Sequence, residues 1–131
     1  MPHDFESLSG TILAAAVEVH RELGPGFLEA TYSKALRVPL DQRGVLYQDE
    51  YAIPLHFQGS PVGEYRLDLL VEGIIVVELK TVRRFSDLHF AQLRAYLKAS
   101  GCRVGLQLNF NAPVVGVRRV VYDRPRGGLL P

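Results

Sequence analysis

Two carboxylates and a lysine lie close together along one stretch of this 131-residue chain: Asp68, then Glu78, then Lys80. Between them Glu72-Gly73 reads as a turn and Ile74-Ile75-Val76-Val77 as an apolar strand, which puts Asp68 and Glu78 on neighbouring antiparallel strands. If the connection closes around residues 72–74, the two carboxylates stand opposite each other on one face, roughly 4.5–5.5 Å apart at Cβ. Lys80, two residues past Glu78, projects from that face as well. A two-residue Glu72-Gly73 loop would instead pair Asp68 with Val77 and send Glu78 to the other face. The cluster therefore requires an odd-length loop or a bulge, which Gly73 permits by accepting a positive φ. Two acids held beside an apolar strand cost free energy unless a cation lies between them, and hard oxygen ligands suit Mg²⁺ or Mn²⁺. Spacing alone leaves a plainer reading open, in which Glu78 and Lys80 are strand-end surface charges and Asp68 caps a turn.

The elements that must position these residues are legible around them. Ser9 is the expected N-cap of a helix to about Leu23, with Ile12, Ala15, Ala16 and Val19 on its inner face and Gly24-Pro25 as its stop. A second helix starts near Gly26-Phe27, carries Leu28, Tyr32, Ala35 and Leu36 inward, and ends by Arg43-Gly44, with Pro39 a point of kinking or early ending. Tyr47 to Phe57 and Val62 to Leu70 read as a hairpin turning at Gln58-Gly59-Ser60-Pro61. Residues 74–77 never alternate with polar ones, as in a central strand covered on both faces. Ser86 caps a third helix, Asp87 to Ser100, with Leu88, Ala91, Ala95 and Ala99 as its packing stripe, Gln92 on the edge of that stripe and Gly101 as its stop. Strands follow at about 103–109 and 114–122. The expected order is ααβββαββ, an α/β domain on a mixed sheet.

Length and 47% hydrophobic composition suit one domain able to bury its own core, ordered over about residues 9–122, with residues 1–7 and the tail from Arg124 onward as the ragged ends. There is no internal repeat or low-complexity tract. The single Cys102 excludes an intramolecular disulfide, and no cysteine–histidine cluster offers a zinc or iron–sulfur site. The polar N-terminus lacks a secretory signal, and no apolar run approaches the roughly 18 residues that span a bilayer. A cytoplasmic protein with no membrane association is expected. Residues 1–79 carry 5 Lys/Arg and 12 Asp/Glu, a net of −7, and residues 80–131 carry 10 and 2, a net of +8. The two halves either neutralise each other in the fold or divide the work between metal-binding acids and phosphate-binding bases.

Asp68 followed by Glu78-Leu79-Lys80 resembles the D-x(n)-ExK signature of the PD-(D/E)XK nuclease superfamily. Gly26-Phe27-Leu28-Glu29-Ala30-Thr31-Tyr32 is similar to the motif that names the GxxExxY proteins, and it is preceded by Glu18-Val19-His20-Arg21-Glu22-Leu23-Gly24-Pro25. The segments 65–71, 76–80 and 91–98 resemble the same group, so the likeness covers roughly residues 9–122. Arg83-Arg84 after Lys80 is more basic than that group leads one to expect.

This resemblance implies a restriction-endonuclease-like core and metal-assisted hydrolysis of phosphodiester bonds; DNA is the substrate expected here, with the choice between DNA and RNA left open by the sequence. It makes Glu29, Asp68, Glu78, Lys80 and Gln92 the catalytic set, and Asp68, Glu78, Glu29 and the Leu79 carbonyl the donors to one or two Mg²⁺ or Mn²⁺ ions. Lys80 is then a source of positive charge at the reacting phosphate and Gln92 a positioning group. Arg83, Arg84, Arg94 and Lys98, with Arg118 and Arg119, are candidate phosphate contacts. His20 and Tyr32 are accessory candidates for which capping or core roles compete. The alternative is a catalytically silent nucleic-acid-binding or protein-interaction module. A homodimer built on strands 104–108 and 114–121, or a protein partner, is the further expectation for so small a core.

Overall fold

Eight elements follow one another in the computed structural model, which describes residues 5–123: α1 (Phe5–Leu23), α2 (Glu29–Gln42), β1 (Tyr47–Phe57), β2 (Ser60–Val71), β3 (Ile75–Lys80), α3 (Asp87–Ser100), β4 (Val104–Asn109) and β5 (Gly116–Val121). The predicted order ααβββαββ and the mixed sheet are observed. The five strands lie in sequence order, antiparallel except for β3 and β4, which run parallel. Parallel neighbours need a crossover, and α3 is that crossover. Among the described residues no helix is long and apolar enough to cross a membrane.

α1 starts four residues before the expected cap. Phe5 and Leu8 extend the inner stripe of Ile12, Ala15, Ala16 and Val19 back by a turn, and the burial of that stripe outweighs the capping preference of Ser9, which is buried inside the helix. The ragged ends expected at residues 1–4 and from Arg124 on lie outside the described residues, whereas 5–7 are helical. α2 also departs from expectation: Leu28 is its N-cap and 77% exposed, so Tyr32, Leu36, Pro39 and Leu40 supply its buried face. Pro39 sits within the helix without ending it.

The central strand is covered on both sides. Ile75, Val77 and Leu79 join the apolar cluster under α1 and α2, and Val76 joins a second cluster with Leu93, Tyr96 and Leu97 of α3. The expected alanine stripe of α3 faces outward, and Leu88 is 76% exposed. Larger apolar groups at positions 93, 96 and 97 remove more surface from water than alanines can, which rotates the helix onto them. Its close approach to the sheet comes from Gly105 of β4: a Cβ there would stand 2.7 Å from Leu93 Cδ1. β4 is buried at all six positions and lies inside the sheet, so the expected edge interface of strands 104–108 and 114–121 reduces to β5 alone.

Candidate functional site

The link between β2 and β3 is the odd-length loop that the acidic cluster requires. Val71 pairs with Ile75, Leu70 with Val76 and Leu69 with Val77, closing over residues 72–74, with Glu72 at φ 54° and Gly73 at φ 71°. One step further along this register Asp68 faces Glu78. There the contacts change type. The Asp68 amide donates to Glu78 Oε1 at 3.2 Å, and the Leu79 amide donates to Asp68 Oδ2 at 2.8 Å. β2 also exchanges faces at this point, since Leu67 packs in the α3 cluster and Leu69 in the α1–α2 cluster. Glu50, with φ 46°, stands across from Asp68 between the Asp49–Leu69 and Tyr51–Leu67 pairs.

Burial and mutual repulsion dominate the electrostatics. Glu78 is 5% exposed, and burial, then the charge of Asp68, push its carboxyl up to about 8. Asp68 is also raised, first by burial and further by Glu29, against the lowering effects of the Leu79 amide and Lys80. Near neutral pH such a pair holds one proton in place of a cation. Tyr96, beneath it on α3, is pushed up to about 12 by burial and then by the Glu78 charge.

Lys80 Nζ donates to Gln92 Oε1 at 2.9 Å, so β3 and α3 meet at these two side chains. Glu29, at the first turn of α2, accepts from the Thr81 amide at 3.3 Å. It lines a cleft of about 360 Å³ with Asp68, Glu50, Ser33, Lys34 and Arg37. The sheet thus places Asp68, Glu78 and Lys80 together, while α2 and α3 bring Glu29 and Gln92 to their margins.

The remaining candidates divide. Tyr32 is fully buried, donates to the Gly24 carbonyl, accepts from the Phe27 amide at 3.2 Å and stacks on Phe110 at 4.5 Å. It pins the loop ahead of Glu29. His20 is buried with Nε2 2.8 Å from the Ala112 carbonyl oxygen. Arg83, Arg84, Arg94 and Lys98 are exposed. Two polar residues of β4 escaped the sequence reading: Gln107 pairs in register with Glu78, and Asn109 with Lys80. Gln107 is fully buried, with Nε2 donating to the His89 carbonyl at 2.6 Å and Oε1 unpartnered among the described residues. Asn109 holds both the amide and the carbonyl of Val82, at 3.1 and 2.7 Å, and so fixes the chain just beyond Lys80. Their signal was present, as polar residues at alternate positions of an apolar strand.

Among the described residues no group of three or more His, Cys, Asp or Glu side chains lies together as a metal site. The donors that fit a hard divalent ion are the Asp68–Glu78 pair: two oxygen ligands whose repulsion and desolvation a cation would relieve.

The chain matches the model of the PD-(D/E)XK nuclease superfamily over residues 6–120. Among solved structures it is similar to the crystal structure of SSO0001, with a TM-score of 0.52 and 15% identity over 92% of this chain and 68% of that one. That likeness shows a shared fold. It is also similar, at a TM-score of 0.45 and 12% identity over 94% and 73% of the two chains, to an alkaline exonuclease (LHK-Exo) from Laribacter hongkongensis. No protein of curated function matches its sequence.

Proposed function

Because the chain belongs to the PD-(D/E)XK nuclease superfamily, we propose that it is a divalent-metal-dependent nuclease, a single-domain member of the GxxExxY group that cleaves phosphodiester bonds of DNA. The observation that carries this reading is the crossed hydrogen bonding of Asp68 and Glu78, which holds a half-buried and a buried carboxylate together at the end of the sheet beside Lys80 and Gln92. Asp68 and Glu78 would hold Mg²⁺ or Mn²⁺, with the Leu79 carbonyl and Glu29 completing the donor set for one or two ions. When bound, the ion supplies Lewis acidity and lowers the pKa of a coordinated water.

The protein's own groups do the positioning. Gln92 fixes the Lys80 ammonium by accepting from it, which aims one preorganised positive charge at the phosphate oxygens as charge develops on them. Glu29, bonded to the Thr81 amide, ties α2 to the chain leaving β3, so that the acids sit on rigid elements. Asn109 holds the same segment from β4. Arg83, Arg84, Arg94 and Lys98 would meet the phosphates of the substrate.

The test is a Mg²⁺- and Mn²⁺-dependent cleavage assay on single- and double-stranded DNA and RNA. Wild type, Asp68→Asn and Glu78→Gln are compared from identical preparations. Metal-dependent cleavage by wild type that both variants lose supports the reading, and equal rates in all three overturn it. A second reading, a silent nucleic-acid-binding module, draws on Glu29, which engages Thr81 instead of joining the acidic pair. Absence of cleavage on every substrate, with binding intact, selects it.

A further inference from the structure

We infer that the surface between α3 and β5 is a track for an unpaired DNA strand, holding its bases by stacking as it leaves the Asp68–Glu78 site; the identity of the ligand rests on the nuclease reading above. β3 and β4 are parallel and β5 is antiparallel to β4, so the crossover helix α3 runs in the same direction as β5. Their side chains meet in two rows. In the first, the Arg118 guanidinium lies 5.2 Å from the Phe85 ring centroid and 5.7 Å from that of Phe90, and its Nη1 donates to the Ser86 carbonyl at 3.2 Å. In the second, Arg94 lies 5.1 Å over the Tyr122 ring. Phe90 and Arg94 are four apart on α3, so they share one helix face, and Arg118 in β5 and Tyr122, one residue past its end, are four apart and in phase on one side of the chain.

Each row is an arginine laid on an aromatic ring, with Phe85, Arg118 and Tyr122 half-buried beneath the more exposed Phe90 and Arg94. Phe90 is 39% exposed and Arg94 is exposed, so neither is packed away as a core residue would be. Aromatic rings and guanidinium planes are the faces on which unpaired bases stack. In a duplex those base faces are covered by neighbouring bases, so the strip favours a single strand.

Charge sets the direction of approach. Arg83 and Arg84, both exposed, lead from Lys80 to the first row. On the far side of the site the β1–β2 edge presents Asp49, Glu50 and Glu64. Asp49 and Glu64 there are paired with Arg37 and Arg66, so that side is close to neutral and a phosphate backbone is drawn to the α3–β5 side. This gives the basic half of the sequence a defined place beside the acidic site, in preference to mere mutual neutralisation.

The test is fluorescence anisotropy with a short fluorescein-labelled DNA strand, single or annealed to its complement, in EDTA so that no cleavage intervenes. The single strand should bind at least about tenfold tighter than the duplex. Phe90→Leu, which keeps apolar bulk but loses the planar face, and Arg94→Gln should each weaken it by about 5- to 100-fold. Thermal melts of both variants should match wild type, which separates lost contacts from lost folding. Duplex binding as tight as single-strand binding, or two well-folded variants with unchanged affinity, overturns the inference. Strand binding without metal-dependent cleavage would keep the track and overturn the nuclease reading, and cleavage without strand preference would do the reverse.

Discussion

Asp68 and Glu78 each hydrogen-bond the strand that carries the other: Glu78 accepts from the Asp68 amide, and Asp68 accepts from the Leu79 amide. The antiparallel ladder of β2 and β3 is regular from Val71–Ile75 to Leu69–Val77, so side chains take over the pairing where the acids begin. The separation of the two carboxylates is therefore set by the sheet. Their repulsion is built into the fold and relieved only by a proton or a cation.

Divalent ions should stabilise the protein through this pair. At a concentration about 100 times Kd, an ion bound only by the folded state contributes about 2.7 kcal/mol, which for a domain of this size raises Tm by roughly 5–15 °C. Calorimetry should detect Mn²⁺ binding in wild type and lose it in Asp68→Asn and Glu78→Gln. Wild type and variants that melt alike with and without Mn²⁺ would remove the carboxylates from consideration as a metal site.

Without a metal, stability should fall as pH rises. Glu78 is raised from its ordinary 4.5 to about 8 in the folded protein. Between these values the folded state keeps a proton that the unfolded chain releases, so the stabilisation is fully present below 4.5 and is lost as pH rises through about 8. In EDTA, the unfolding free energy should fall between pH 5 and pH 8 on the order of a few kcal/mol, read as a falling Tm. Glu78→Gln should flatten this dependence, and a wild-type curve already as flat as that of the variant would contradict the burial of Glu78 beside Asp68.

Lys80→Ala should separate activity from stability. Lys80 is partly buried, and its one described bond is to Gln92, so the unfolding free energy should change by only about 1 kcal/mol, read as a small shift in Tm. Turnover should fall on the order of 10²–10³, the cost of removing one preorganised charge from the transition state. Gln92→Leu, which leaves the charge but releases its position, should lose less. A Lys80→Ala variant that cleaves at the wild-type rate would assign the lysine to the surface alone.

Gly105→Ala should destabilise the fold by about 1–3 kcal/mol, the range for overpacking a well-filled core. The added Cβ meets Leu93 at Cδ1, Cγ and Cδ2, and that side chain is fully buried. Adding Leu93→Ala should recover part of the loss, which a urea titration of the double variant would read as non-additivity. Full additivity would place the strain elsewhere.

Much of this molecule is written locally. The end of α1 at Gly24, the limits of α3 between Ser86 and Gly101, and the hairpin turn at Gln58-Gly59 follow from capping residues and from glycines that accept positive φ. Because strand side chains alternate with a period of two, a three-residue loop at 72–74 was enough to put Asp68 opposite Glu78 and Lys80 on the same face. The nuclease family was legible for the same reason, since its signature lies in one hairpin and its neighbours.

What the tertiary structure decided depends on contacts between residues far apart in sequence. Ser9 has the chemistry of a cap, yet it is buried in mid-helix because Phe5 and Leu8 found a core to cover. α3 offered an alanine stripe and a Leu93, Tyr96, Leu97 stripe, and the choice between them was made by Gly105, a strand away, whose missing side chain admits Leu93. Gln107 and Asn109 joined the rows of Glu78 and Lys80 through the β3–β4 register, which no local rule specifies for parallel strands linked by a long crossover. Propensity and periodicity act over a few residues, but burial is a property of the assembled layers. Which groups could do chemistry, and on which strands, is therefore a matter of local spacing, and what surrounds them is a matter of how the helices pack on the sheet.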